Sequence, residues 1–423
     1  MTANTLLKQK KEKTETLLRQ YIPREKIPWA KKLLDNKLIK VISGPRRAGK
    51  SVFSFLLLKD KNFAYVNFDD EDLLNIKNTD EILKGIFEIY KNPEFILFDE
   101  IQNLNNWELF VNKLQRRNYR IIVTGSNAKL LSKELATHLT GRHVAIEIFP
   151  FSFKEFLQAK NFSFTKQEIN LPEVKGQMLN LLKDYLQKGG FPEIISENMN
   201  ADIYLKTLYD SLLLKDIIKR YNIRFSQKLY DLARYIINNF ASEVSFNKLK
   251  NILSFNSVHT IQNYIQYLEE TFLFFLLERY SPKTKEQLKS PQKAYIVDNG
   301  YIHAIASMSS TNTGKLLENM VFYELLKAGY KPNQNIFYYK TRNGKEVDFI
   351  LKDGLKIISL FQVCYELNID TEKRELNSLI EASEELRCNN LNILTWDTER
   401  IIKIKKKQIK ILPVWKLLLG GFK

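Results

Sequence analysis

The spacing of apolar positions changes several times along this chain. Over residues 1–35 apolar side chains recur at helical spacing through Leu17, Leu18, Ile22 and Ile27, behind the lysines Lys8, Lys10, Lys11 and Lys13. That pattern predicts basic helices acting as a docking arm. From Leu38 to Phe149 short apolar runs take over, LIKVIS, FAYVNF, FILFDE and RIIVTGS, with helical stretches between them. Such alternation predicts parallel strands joined by crossover helices, in a sheet buried on both faces. From Pro150 to Phe225 the spacing is helical again, except at Gly189, Gly190 and Pro192, which must break a helix. Residues 226–282 predict a compact helical module ending in an apolar strand pair, FLFFLLERY. Further on, the helix KLLENMVFYELLKAG leads into a hairpin and more strands. The expected division is an arm at 1–35, an α/β core at 36–150, a helical lid or linker at 151–225, the helical module at 226–282 and an α/β unit at 283–423.

At 423 residues, the chain exceeds one domain of roughly 150 residues. Its 44% hydrophobic content, 15 Gly and 11 Pro exclude collagen-like and disordered chains. Cys364 and Cys388 cannot build a disulfide framework, and His138, His143, His259 and His303 lack zinc-ligand spacing, so a reducing cytoplasm is expected. The start MTANTLLKQKKEKTE has no signal-peptide core, and the run Phe272 to Leu277 is far shorter than the ~18 residues of a membrane span. We therefore expect no membrane. The 65 Lys and Arg against 48 acids give a formal charge of +17, which favours a polyanionic partner, nucleic acid above all.

Specific chemistry enters with Gly44, Pro45, Arg46, Arg47, Ala48, Gly49, Lys50 and Ser51, followed by Val52. This GxxxxGKS stretch follows the strand LIKVIS and opens a helix. Glycines let backbone N–H groups curl around phosphate oxygens, and the helix start faces the same anion. Lys50 is expected to reach the β- and γ-phosphates of ATP, and Ser51 to ligate Mg²⁺. About fifty residues later FILFDE ends in Asp99, a second Mg²⁺ group, and Glu100, placed to polarise the attacking water. The next strand ends in Thr124-Gly125-Ser126-Asn127, where Ser126 or Asn127 either senses the γ-phosphate or caps a helix. Arg142 is an arginine that faces phosphate, in cis or across a subunit contact, or else a surface cation.

With these residues in view the chain resembles the bacterial and archaeal AAA+ ATPases that carry a winged helix and a C-terminal restriction-endonuclease-like domain. The resemblance rests on GPRRAGKS, FDEIQN at 98–103, VTGSN at 123–127, LTGRHVAIEIFPFSFKEF at 139–156, YLQKGGFPE at 185–193, LKDIIKRYNIR from 214, YIVDNG at 295–300 and NGKEVDFI at 343–350. It implies a P-loop NTPase fold of the ASCE type, in which an extra strand separates the phosphate-loop strand from the one ending in Asp99, with FAYVNF as a further strand. Within 226–282, SFNKLKNIL, a turn at Ser254-Phe255-Asn256 and SVHTIQNYIQYLEE follow helix-turn-helix order. His259, Thr260, Gln262 and Asn263 suit base edges. Ser257 to Glu270 holds no Lys or Arg, however, so phosphate contacts must come from Arg279, Lys283, Lys285, Lys289 and Lys293, or the module is structural or inter-subunit.

In the restriction-endonuclease-like core, two acids bind Mg²⁺ and a nearby Lys assists water. Asp348 matches the first acid and Glu318 lies on the preceding helix, but Gln362 stands at the second acid and Cys364 at the Lys. A degenerate binding domain is the better expectation than a nuclease. The seven lysines of 401–423 alternate as in an edge strand that resists sheet-to-sheet association. The overall expectation is a cytoplasmic ATP-hydrolysing switch acting on or near DNA, able to form homo-oligomers. A Mg-dependent nuclease coupled to an ATPase, and a non-catalytic nucleotide-bound DNA-binding regulator, are the alternatives.

Overall fold

The computed structural model describes residues 2–74, 76, 78–127, 141–165, 167–307, 312–404 and 406–421. The helix expected between Asn127 and Gly141 lies outside them. The chain divides into two units, one of Met1–Phe151 with Glu270–Phe272, the other of Ser152–Glu269 with Leu273–Lys423.

The first unit is built on five parallel strands, β1 (Ile39–Ser43), β2 (Phe63–Asn67), β3 (Phe95–Asp99), β4 (Arg120–Gly125) and β5 (His143–Glu147), in the order β2-β3-β4-β1-β5. Successive strand residues face opposite sides, and both sides are apolar. Val41, Val66, Ile96, Phe98 and Val123 enter one core, while Ile42, Tyr65, Leu97, Ile122 and Ile146 enter the other. β4 is the strand inserted between β1 and β3, the order the resemblance implies.

The N-terminal segment, expected as a basic docking arm, is folded into this unit. In helix α1 (Thr2–Leu18), Leu6 is fully buried in the first core and Gln9 closes a pair of bonds with β2. Gln9 Nε2 donates to the Asn67 carbonyl at 3.0 Å, and the Asn67 N–H donates back to Gln9 Oε1 at 3.0 Å. The lysine cluster concealed this: Lys10 and Lys13 donate to the carbonyls of Ile89 and Phe63, so two of the four cations anchor the helix.

The second unit begins with helices, among them Phe153–Ala159, started by a Ser152/Glu155 capping box, and Pro172–Lys188, which stops at Gly189 as expected. The LKDIIK stretch lies in a π-helix, Leu212–Lys219, with Asp216 buried. Gly189 is obligatory, since a Cβ there would lie 1.6 Å from Asp298 Oδ1. Asp298 accepts from Gly190 N at 2.7 Å and Gly300 N at 2.8 Å, and burial pushes its carboxyl up to about 6. Asn299 donates to the carbonyls of Leu186 and Leu316. The GGFP and VDNG motifs are thus two halves of one clasp.

Next come helix Ser226–Asn238, strand β6 (Ser242–Val244), helices Phe246–Ile252 and Val258–Glu270, strand β7 (Phe274–Leu277) and strand β8 (Gln292–Ile296), the strands paired antiparallel as β6-β8-β7. The apolar run expected as a strand pair is one strand. Its partner lies past 282, because Arg279 to Ser290, carrying helix Thr284–Lys289, loops out before the chain returns. The rest is a six-stranded sheet of β9 (Ile336–Lys340), β10 (Glu346–Asp353), β11 (Lys356–Val363), β12 (Leu391–Thr395), β13 (Arg400–Ile404) and β14 (Lys407–Pro413), ordered β13-β14-β12-β11-β10-β9. The lysine-rich tail forms two strands, of which β13 alone is an edge.

Candidate active site

Parallel strands end on the same side of their sheet, so whatever follows β1, β3 and β4 must converge. Val41 pairs with Val123 and Phe98 with Val123, which sets Asp99, Thr124 and the 44–51 loop at neighbouring levels. Gly44 has φ +148°, and a Cβ there would sit 1.9 Å from the Ile148 carbonyl oxygen. No other residue fits. Gly49, at φ 87°, then turns the chain into helix α2 (Lys50–Leu58). The loop curls around the Lys50 ammonium, which donates to Gly44 O at 3.2 Å and Pro45 O at 3.0 Å and lies 3.8 Å from Glu100 Oε1.

Ser51 Oγ donates to Asp99 Oδ1 at 3.1 Å. A hydroxyl beside a carboxylate is a hard-oxygen set that suits Mg²⁺. Among the described residues no group of three or more His, Cys, Asp or Glu is arranged to hold a metal. Mg²⁺ is commonly bound by one or two side chains together with nucleotide phosphates, and Ser51 and Asp99 fit that division.

The two carboxylates differ in environment. Burial pushes Asp99 above the ordinary range and the Glu100 charge adds to this, against donation from Thr124 and Ser51 and the field of Lys50. Burial also acts to raise Glu100, but Lys50, Gln102, Arg46 and Ser126 outweigh it and hold the carboxyl below the ordinary range. Glu100 therefore stays ionised, as a proton acceptor must. Its backbone is left-handed at φ 48°, a conformation costing a glutamate roughly 1–2 kcal/mol, which turns its side chain out of the strand line toward Lys50.

Ser126 and Asn127 are both buried just past the end of β4, and Ser126 bonds Glu100. Arg142 does not join them in this chain. It precedes β5, its carbonyl accepting from Ile39 N at the start of β1, so a full strand length separates it from the loop. Its guanidinium donates to Asn112 Oδ1 at 3.1 Å.

Three contributors escape a reading of motifs. Arg24, buried, donates to the carbonyls of Ala48 at 3.0 Å and Phe149 at 2.6 Å, and so pins the phosphate loop from behind. Thr124 Oγ1 donates to Asp99 Oδ1 and accepts from Glu100 N, bridging both acids. Tyr65, inside an apolar strand, donates to Asp99 Oδ2 at 3.2 Å. We expect Tyr65→Phe to retain ATP affinity and to raise the Mg²⁺ concentration for half-maximal turnover roughly tenfold, the value of one hydrogen bond to a charged group. Phosphate release titrated with Mg²⁺ at saturating ATP checks this, and an unchanged midpoint denies Tyr65 the role.

In the second unit Glu318, Asp348 and Gln362 do come together. Asp348 N donates to Gln362 Oε1 at 3.4 Å, and Asp348 Oδ2 accepts from Val363 N at 2.8 Å. Lys293 of β8 reaches the same cluster, its Nζ 2.9 Å from Glu318 Oε1.

Residues 36–157 match the AAA domain family, and residues 179–312 and 313–417 match two domains of unknown function, DUF8612 and DUF4143. The uncharacterized protein MJ1544 of Methanocaldococcus jannaschii is 41% identical over 404 residues, covering 91% of this chain and 89% of that protein. An uncharacterized protein of Haemophilus influenzae is 33% identical over 358 residues, covering 81% and 86%. Among solved structures, the Walker-type ATPase paby2304 of Pyrococcus abyssi aligns with a TM-score of 0.43 and 15% identity over 67% of this chain and 96% of its own. No helix among the described residues is long and apolar enough to cross a membrane.

Proposed function

This AAA-domain chain belongs to the same family as the uncharacterized M. jannaschii protein MJ1544, and on that premise we propose that it is an ATPase whose nucleotide cycle repositions appended domains on nucleic acid. The observation that carries the reading is the convergence of Lys50, Ser51, Asp99 and Glu100 at the ends of β1 and β3. The loop N–H groups and the α2 N-terminus bind the triphosphate, and Lys50 exchanges its two carbonyl partners for phosphate oxygens. Ser51 and Asp99 would hold Mg²⁺, which would supply charge neutralisation to the bound triphosphate. Glu100 takes the proton of the attacking water, while Ser126 fixes the carboxylate. Losing the γ-phosphate frees Lys50 to return to its own loop, which makes ATP a switch.

The helix–strand–helix–helix–strand–helix–strand order of 226–296, with the short helix Thr284–Lys289 between β7 and β8, supports a winged-helix reading, in which helix Val258–Glu270 meets DNA through His259 and Gln262, both exposed. Phosphate contacts then fall to the exposed Lys283, Lys285 and Lys289. ATP turnover with and without duplex DNA, with sizing in each nucleotide state, tests the proposal. We expect DNA to raise turnover several-fold at low salt and to lose this effect by about 200 mM salt. Turnover indifferent to DNA, with no salt-sensitive binding, removes the nucleic-acid part and leaves the ATPase.

A further inference from the structure

We infer that Lys293 is the resident cation of the acidic cluster in the second unit, taking the place that a metal-dependent nuclease gives to a divalent ion, so that this unit works without metal. Three carboxylates surround one ammonium: Nζ lies 2.6 Å from Glu346 Oε1, 2.9 Å from Glu318 Oε1 and 3.5 Å from Asp348 Oδ1. Glu346 and Asp348 come from β10 and Glu318 from helix Thr313–Lys327, whereas Lys293 enters from β8 of the other sheet. The Lys293 side chain is 3% exposed.

Tyr295 donates to the same Glu318 Oε1 at 2.7 Å, and two second oxygens are engaged as well: Asp348 Oδ2 accepts from Val363 N at 2.8 Å, and Glu346 Oε2 lies 3.6 Å from Lys340 Nζ. The carboxylates therefore close on an ammonium rather than on an open coordination sphere, and a divalent ion would have to expel a buried, paired lysine. Burial alone would strip the Lys293 proton, yet Glu318, Tyr295, Asp348 and Glu346 hold its pKa well above the usual range. Beside the cluster, Glu375 is 2% exposed and its Oε2 has no partner among the described residues. Burial raises its pKa, against the pull of Arg374 and a bond from Gln362, with the charge of Glu318 adding to the rise. Burial and the charge of Glu318 likewise raise the pKa of Asp348 well above the ordinary range, against the field of Lys293 and the bond from Val363 N.

A nuclease of this kind activates water on its metal. With an ammonium in that place, the acids join the three-stranded and six-stranded sheets and cleave nothing. The inference is independent of the ATPase reading, because no nucleotide enters it.

The test uses the full chain, stripped with EDTA and free of nucleotide. Its melting is followed with Mn²⁺ added, alongside Lys293→Met and the double variant Lys293→Met/Glu318→Gln. We expect the native chain to melt within about 1 °C of the same temperature with EDTA or Mn²⁺, since its cation is covalently attached. Lys293→Met should melt roughly 6 °C or more lower, having left carboxylates buried without a counter-charge. The double variant should recover at least half of that loss. Mn²⁺ stabilising the native chain, with Asp348→Asn abolishing the effect, overturns the inference, as does Lys293→Met melting like the native chain. Should that variant not fold, the Mn²⁺ titration of the native chain decides alone.

Discussion

Lys50→Ala leaves a folded protein that no longer holds ATP. The side chain donates to Gly44 O and Pro45 O of its own loop and approaches Glu100, contacts outside the strand pairing, so the sheet survives its loss. The phosphates, by contrast, lose their one buried ammonium. Two charge-assisted bonds at about 1.5–3 kcal/mol each correspond to binding weakened by roughly 10² to 10⁴. The same change removes the strongest opposing influence on the burial of Glu100, so its carboxyl rises toward the protonated form and turnover falls further than affinity. Calorimetry paired with phosphate release measures both quantities, and release at the native rate would mean that hydrolysis occurs elsewhere.

Glu100→Gln separates binding from chemistry. Glutamine keeps the size and the Gln102 and Ser126 neighbours of the carboxylate but cannot accept a proton from water. Removing a general base costs roughly 10² to 10⁴ in rate, while Lys50, Ser51 and Asp99 still hold the nucleotide. The expected result is stoichiometric ATP retained over minutes in a single-turnover experiment. Release within threefold of native would assign the proton to another group. Asp99 is poorly placed to substitute, since Ser51, Tyr65 and Thr124 donate to it and engage both its oxygens.

The first sheet was readable because its strands are apolar on both faces and each ends in a chemically distinct tip. GPRRAGKS needs Gly44 for a close approach that admits no Cβ, and FILFDE places its acids one strand further out, across β4. What escaped notice was long-range pairing inside apolar segments. Tyr65 reads as a core aromatic until its hydroxyl is seen on Asp99, and Arg24 precedes the sheet without any motif of its own. Lys293, one of the five cations that sequence position offers for phosphate contacts, lies buried among acids that follow it by 25 to 55 residues in sequence. Helix α1 looked like an arm because lysines dominate it, although Leu6 and Gln9, three positions apart, share the face that packs on the sheet. Of the three readings open for Arg142, the one in cis falls to strand direction: it stands at the entry of β5, and the phosphate loop at the exit of β1.

Titration of Mg-ATP into the folded native chain, followed by calorimetry, tests the central claim most directly. The account predicts a saturable heat with one nucleotide per chain, lost in Lys50→Ala and preserved in Glu100→Gln. The absence of any heat from native protein would contradict it, as would a heat that Lys50→Ala leaves untouched.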